Sequence, residues 1–122
     1  MSKLILVAED DLHIARLVSF KLKREGFQVL CVQDGSDVLR ELSEHSFDLM
    51  LLDVMMPRVD GLEVLQRLPE ALKKSMPIIM LSAKSQDQDV LQALQLGAVD
   101  YLTKPFDPQD LVDRVRQVLE LT

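Results

Sequence analysis

Short apolar runs alternate along the chain with segments in which apolar residues recur at helical spacing. The first run, 4–8, is continuous, rich in strand-forming residues and too short for a helix, so it predicts a buried strand. Four later runs of similar character predict strands at 27–32, 47–52, 77–81 and 99–102. The pattern therefore predicts five strands separated by helices.

The segments between the strands have the i, i+3, i+4 spacing of amphipathic helices. Gly26 is a stop signal for the first helix, and Pro69 is expected to end or kink the third. The predicted apolar faces are Ile14, Leu17, Val18 and Leu22; Val38, Leu39 and Leu42; Leu62, Leu65 and Leu68; Val90, Leu91 and Leu94; and Leu111, Val112, Val115, Val118 and Leu119. Five helices follow from these faces.

Strict alternation of strands and helices predicts a parallel sheet, because right-handed crossovers place the helices on its two faces. Strands covered on both faces read as continuous apolar runs, as these do. We predict a flavodoxin-like doubly wound (βα)5 fold of the α/β class, with a five-stranded parallel sheet of order 2-1-3-4-5. No linker or repeat interrupts the pattern, so residues 1–122 are expected to form one domain.

Composition narrows the class of function. The chain has 14 Lys plus Arg and 20 Asp plus Glu, a formal charge of −6, which argues against direct binding to nucleic acid. Its single cysteine, Cys31, has no internal disulfide partner, as is usual in a reducing compartment. The first apolar run is too short for a signal peptide, and no run reaches membrane-spanning length. We expect a cytoplasmic domain without direct membrane contact.

Polar residues collect where the predicted strands end: Glu9, Asp10 and Asp11 after the first, Asp53 after the third, Ser82 after the fourth and Lys104 after the fifth. The carboxyl ends of parallel strands meet at one edge, where such sheets bind ligands. Clustered carboxylates repel unless a cation holds them together, and oxygen ligands favour Mg²⁺. Lys104 and Ser82 would then contact a phosphoryl group, and Asp53 would be the nucleophile that forms an aspartyl phosphate.

Each of these residues taken alone has an ordinary structural interpretation. An Asp after a strand is often a helix cap, Ser82 would equally cap a helix, and Lys104 would be a surface lysine. Their coincidence at four strand ends favours a site. His13 and His45 are interpreted as surface helix residues, and the methionines as packing residues. Met55 and Met56 are exceptions, because they follow Asp53 and would border the site.

Six short motifs resemble those of a known family, the receiver domains of bacterial two-component response regulators. The resemblance covers essentially the whole chain. The motifs are Glu9-Asp10 after ILVA, LLDVMMP with Asp53, Asp60-Gly61, MLSAK with Ser82, GAVDYL, and KPF from Lys104 to Phe106. Because all six motifs occur in the order that this family has, the probability of a chance resemblance is very small.

This resemblance implies that Asp53 accepts a phosphoryl group from a phosphohistidine on a histidine kinase or a histidine phosphotransfer protein. Mg²⁺ would be held directly by Asp10 and Asp53, through water by Glu9, and by the backbone carbonyl of Met55. Lys104 would contact the phosphoryl group and precede a cis peptide bond to proline. Such a domain catalyses its own phosphorylation and dephosphorylation and is not a multiple-turnover enzyme.

The resemblance also implies a switch. Ser82, where threonine is more usual, would swing toward the phosphoryl group, and Tyr101 would turn inward behind it. The fourth predicted helix, the fifth strand and the last helix would change conformation. Met55 and Lys84 occupy positions that influence hydrolysis, and the apolar Met55 suggests slow self-dephosphorylation.

The resemblance also bears on a homodimer and on an output partner. Asp100, Asp110, Arg114 and Arg116 are similar to the charges of regulators that form homodimers through this face, although Val90 stands where a basic residue is expected. The output partner, and whether the chain is part of a longer regulator, are left open.

Three other functions compete with this interpretation. Flavin binding uses the same fold, but Glu9, Asp10 and Asp11 would repel the flavin phosphate. Phosphohydrolases with an aspartate nucleophile carry an acid/base aspartate where Met55 stands. A pseudo-receiver that acts only as an interaction module, without phosphorylation, is the remaining alternative.

Overall fold

The computed structural model describes residues 2–83 and 87–121, except for the side chains of Asp87 and Leu121. Its five strands are β1 (Leu4–Ala8), β2 (Gln28–Val32), β3 (Leu49–Asp53), β4 (Ile78–Ser82) and β5 (Asp100–Thr103). All four strand pairs are parallel, and the order in the sheet is β2-β1-β3-β4-β5. The predicted doubly wound α/β fold is confirmed.

Six helices are found in the described residues: α1 (Leu12–Arg24), α2 (Gly35–Glu44), α3 (Gly61–Arg67), α4 (Glu70–Ser75), α5 (Asp87–Gln95) and α6 (Pro108–Leu121). The third predicted helix corresponds to α3, which ends before Pro69 as predicted. The short helix α4 after Pro69 is a sixth helix that the pattern did not predict. None of the helices in the described part of the chain has both the length and the apolar character needed to cross a membrane.

The core lies on both faces of the sheet. On one face, Ile5, Leu51 and Ile79 pack with residues of α1 and α6, including Leu22 and Leu111. On the other face, alternate strand residues pack with α2, α3 and α5. β3 and β4 are buried along their whole length, which explains why their sequences are continuously apolar.

Three residues predicted on apolar helix faces are exposed instead. Leu17 on α1 is 46% exposed, and Leu91 and Leu94 on α5 are 56% and 42% exposed. The buried residues of α1 near Leu17 are Ala15 and Val18, and Ala93 is buried in α5 between the two exposed leucines. The spacing predicted the helices correctly but made their buried faces too wide.

Candidate functional site

Asp53 lies at the carboxyl end of the central strand β3 and is only 2% exposed. Its Oδ1 accepts a hydrogen bond from the backbone N–H of Met55, 3.1 Å away, which fixes the orientation of the carboxylate. Gly61 allows the chain after β3 to fold back closely, since a Cβ there would lie 2.2 Å from the Asp53 carbonyl oxygen. Asp60 caps α3 beside it by accepting a bond from the Glu63 N–H.

Two further carboxylates follow β1. Glu9 is fully buried, and its backbone N–H donates to the Val32 carbonyl at the end of β2. Asp10 is exposed beside it. Oxygen atoms of Glu9, Asp10 and Asp53 all lie within 4.8 Å of one another, as the prediction of a shared cation site requires. Asp11 instead caps α1, because its side chain accepts bonds from backbone N–H groups of that helix.

Lys104 is the cation that faces this cluster. Its Nζ lies 2.5 Å from Glu9 Oε1 and 3.2 Å from Asp53 Oδ2. Its backbone N–H donates to the Ser82 carbonyl, and the peptide bond to Pro105 is cis, as expected. Burial by itself would lower the pKa of Lys104, but the two carboxylates outweigh it and raise that pKa above its usual value. Lys104 therefore stays charged.

The electrostatics of Asp53 are those of a crowded buried carboxylate. Burial, followed by the neighbouring Glu9 carboxyl, raises the pKa of Asp53 from 3.8 to about 7, against the opposing effects of Lys104 and the Met55 N–H. If all three carboxylates are ionised, one lysine leaves two negative charges uncompensated. The cluster therefore has the donor atoms and the charge that suit a divalent cation.

The other predicted residues lie in different surroundings. Ser82 ends β4, is fully buried and pairs in the sheet with Thr103, the residue before Lys104. Tyr101 lies half-buried in β5, opposite Met80. Lys84 lies outside the described residues.

The methionines after Asp53 differ from each other. The side chain of Met55 is 55% exposed at the rim of the site. Met56 is buried in the core, so the expectation that it borders the site is wrong. A side chain in the core removes apolar surface from water, which favours this orientation. His13 and His45 are exposed at α1 and at the end of α2, as predicted.

We call the surface formed by α5, β5 and α6 the output face. Its charges pair within the chain: Arg114 Nη1 lies 3.0 Å from both carboxylate oxygens of Asp100, and its Nε lies 3.5 Å from Asp110. Arg116 pairs with Glu25 at the end of α1, so it is directed away from this group.

The family described as the response regulator receiver domain matches residues 5–116. The chain belongs to this family. Receiver domains are signalling domains of two-component systems, they bind Mg²⁺ at an acidic pocket, and those of PhoP- and OmpR-like regulators interact with histidine kinases.

One similar sequence is the alkaline phosphatase synthesis transcriptional regulatory protein PhoP of Bacillus subtilis. It is 41% identical over 119 residues, which cover 98% of this receiver domain and 49% of PhoP. The chain thus spans about half the length of this curated relative.

Solved structures of receiver domains have the same fold as this chain. The BeF3-activated DrrB receiver domain has a TM-score of 0.87 at 36% identity, and the match covers 98% of this chain and 99% of that one. DrrB is also described as an OmpR/PhoB homolog of Thermotoga maritima. A CheY-like receiver domain protein from Methanospirillum hungatei has a TM-score of 0.91 at 28% identity, covering 98% and 95% of the two chains.

Sequence reasoning missed two features of this receiver domain. It treated Asp60-Gly61 only as a motif, although Gly61 is needed for the close approach to Asp53 and Asp60 caps the next helix. It assigned Lys104 to the phosphoryl group alone, although Lys104 also contacts Glu9. An Asp-Gly pair shortly before an apolar helical pattern was a usable signal for the first. No local signal reveals the second, because 95 residues separate Glu9 and Lys104.

Proposed function

We propose that residues 1–122 form one receiver domain in which Asp53 accepts a phosphoryl group from a phosphohistidine. The donor is a histidine kinase or a histidine phosphotransfer protein. The observation that carries this proposal is the buried Asp53 carboxylate with the Lys104 ammonium 3.2 Å away, at the edge where parallel strands end. The transfer modifies the domain itself, so no diffusible metabolite is turned over.

Mg²⁺ is the cofactor of this proposal. Asp10 and Asp53 would hold it directly, Glu9 through water, and Met55 through its backbone carbonyl. The carboxylate oxygens of these three acidic residues, which lie within 4.8 Å of one another beside a single lysine, support this assignment. When bound, the ion supplies positive charge that neutralises phosphoryl oxygens and favours the ionised form of Asp53.

The protein's own groups act on the transferred phosphorus in defined ways. The bond between phosphorus and an imidazole nitrogen of the donor breaks, and the nitrogen keeps the electron pair. A bond forms between phosphorus and a carboxylate oxygen of Asp53. The Met55 N–H holds the other side of the carboxylate, and Lys104 offsets the charge of the phosphoryl oxygens.

Release of the phosphoryl group requires water to attack the aspartyl phosphate. The exposed side chain of Met55 stands at the rim of the site and offers no hydrogen bond that would hold the water. We therefore expect self-dephosphorylation to be slow. Lys84 is the second residue that we propose to influence this step.

The phosphoryl group would be detected through Ser82 and Tyr101. The Ser82 hydroxyl would donate a hydrogen bond to a phosphoryl oxygen, and Tyr101 in the neighbouring strand would turn inward, which changes the output face. Leu91, Leu94 and Val99 expose large apolar side chains on this face, as a surface for a protein partner or a second copy does. We include a homodimer through the output face in this proposal.

Intact mass spectrometry tests the phosphorylation directly. The chain is incubated with acetyl phosphate in Mg²⁺ or in chelator, beside Asp53→Ala and, as a matched control, Asp113→Asn, which alters an exposed aspartate of α6. We expect one phosphoryl group on the original chain and on the control, only in Mg²⁺, and none on Asp53→Ala.

If a phosphoryl group is added to the folded Asp53→Ala variant, the acceptor is a residue other than Asp53 and the proposal is overturned. If small donors fail, the same samples are incubated with a phosphorylated histidine phosphotransfer protein. Failure with both donors in a folded chain that binds Mg²⁺ would favour the phosphorylation-independent pseudo-receiver.

A further inference from the structure

A groove separates α1 from β2, outside the carboxylate cluster. Its volume is about 330 Å³, within the range of small-molecule sites. The apolar part of its lining is formed by Leu12, Ala15 and Phe20, and Phe20 is 57% exposed. β2 is at the edge of the sheet, so no further strand of the described chain covers this side. The groove therefore presents concave apolar surface to solvent.

The charge around this groove is opposite to that of the whole chain. Residues 12–24, which form α1, contain four basic residues and no acidic one, in a chain of net charge −6. Arg16 and Lys23 line the groove, and no acidic residue does. A complementary ligand is consequently anionic as well as apolar.

The positive charges of the groove are also uncompensated. Within the described residues, neither Arg16 nor Lys23 has a carboxylate oxygen within 4.0 Å. Five other arginines each form an ion pair: Arg40, Arg58, Arg67, Arg114 and Arg116.

Polar side chains line the groove at several positions, namely Arg16, Ser19, Lys23 and Gln33. Ser19 and Lys23 on α1 lie close enough to Cys31 on β2 to lower the pKa of its thiol, although partial burial raises that pKa by more. The opposite end, at Leu12, adjoins the Asp11 cap of α1. An anionic head would therefore favour the Lys23 end, and an apolar body would lie toward Leu12.

We propose that this groove binds a small amphiphilic carboxylate, such as a medium-chain fatty acid. Its carboxylate pairs with Lys23 and is attracted by Arg16, and its chain packs on Ala15, Phe20 and Leu12. The concave volume suits one small molecule better than a protein segment, which needs a larger contact area. This binding does not depend on phosphorylation of Asp53.

Cys31 provides a reporter inside the proposed site. The folded chain is alkylated with N-ethylmaleimide in increasing octanoate, below its micelle concentration, and separately in 1-octanol, which has the same chain length without the charge. We expect octanoate to slow alkylation by about tenfold at about ten times its Kd, and 1-octanol to protect much less.

Variants test the charge directly. Lys23→Gln should raise the Kd for octanoate by about tenfold, because a charge-assisted contact is lost. Lys74→Gln, which alters an exposed lysine of α4, should leave the Kd unchanged. Both variants are checked for unchanged Mg²⁺-dependent phosphorylation, which shows that they are folded.

The following results would overturn the inference. These are no protection by octanoate, equal protection by 1-octanol, or equal weakening by the two lysine variants. Protection by an acidic amphipathic peptide in place of octanoate would likewise overturn it, since the occupant would then be a protein segment.

Discussion

At the scale of single residues, Asp53 combines two properties that oppose each other. It is buried beside another carboxylate, which disfavours its charge, yet a nucleophile must be ionised. Lys104 and the Met55 N–H offset only part of this effect. The remaining imbalance favours the protonated carboxyl, so the proposed Mg²⁺ ion would favour both the ionisation of Asp53 and its proposed phosphorylation.

A pH dependence of stability follows for the chain without Mg²⁺. The pKa of Asp53 is about 7 in the folded chain and 3.8 as its ordinary value, so the folded state binds the proton more tightly. The stabilisation is fully present below the ordinary pKa and is lost as the pH rises through about 7. Between about pH 6 and pH 8, we expect the free energy of unfolding to fall by about 1 kcal/mol.

Urea denaturation in chelator at several pH values measures this dependence. Asp53→Asn is the control, because it removes this carboxyl and leaves every other ionisable side chain in place. At each pH, the difference in the free energy of unfolding between the original chain and Asp53→Asn gives the contribution of the Asp53 carboxyl. A difference that is constant with pH would contradict the expected titration.

The proposed role of Met55 predicts the lifetime of the aspartyl phosphate. We expect a lifetime of minutes or longer in Mg²⁺, because its exposed apolar side chain does not orient water. Met55→Asn places a hydrogen-bonding group at this rim and should shorten the lifetime by roughly threefold or more. Loss of the added phosphoryl mass with time measures the dephosphorylation rates of the original chain and of Met55→Asn. A lifetime of seconds in the original chain would refute the hypothesis.

At the scale of secondary-structure elements, glycine decides how closely the loop after β3 returns to the site. In Gly61→Ala, the new Cβ would overlap the Asp53 carbonyl oxygen, at 2.2 Å, so backbone must move. We expect a loss of about 2–4 kcal/mol in the free energy of unfolding and weaker Mg²⁺ binding, because Asp53 is displaced.

Gly26→Ala is the matched control for this change. Gly26 has a φ of +94° and nothing within 4 Å of its Cβ position, so the variant suffers backbone strain without a clash. It should lose about 1–2 kcal/mol of stability and keep its Mg²⁺ affinity. Calorimetry and Mg²⁺ titration separate the two effects, and equal Mg²⁺ affinity in both variants would show that Gly61 does not position Asp53.

At the scale of the whole molecule, the site joins distant parts of the chain. Glu9, Asp53 and Lys104 come from the ends of β1, β3 and β5, and the sheet that carries them separates two apolar clusters. A ligand that binds only the assembled edge therefore stabilises the entire fold.

Mg²⁺ should raise the Tm of the chain. At about ten times its Kd, the expected stabilisation is about 1.4 kcal/mol, or about 5–6 °C for a chain of this size. Asp10→Asn removes one proposed ligand and should lose most of this shift, whereas Asp113→Asn should keep it. Scanning calorimetry with and without chelator provides the measurement, and an equal shift in both variants would exclude Asp10 as a ligand.

Much of the fold follows from local pattern. The bounds of β1 were predicted without error, and the other strands begin or end within two residues of their apolar runs. The error at Leu17, Leu91 and Leu94 has a physical cause, since periodicity reports which residues share a helix face but not how much of that face the sheet covers. The wrong expectation for Met56 has a related cause, because the burial of its side chain depends on packing partners far away in the sequence.

The sequence by itself determined the order of strands and helices, the sheet order, and which acidic, hydroxyl and amine groups follow the strands. These depend on local periodicity and on rules of chain connection. Only the tertiary structure decided that Lys104 lies 2.5 Å from Glu9, that Asp53 is almost fully buried, and that the groove beside α1 is open. Such properties depend on strand register and side-chain packing between residues far apart in the chain, which no local pattern encodes.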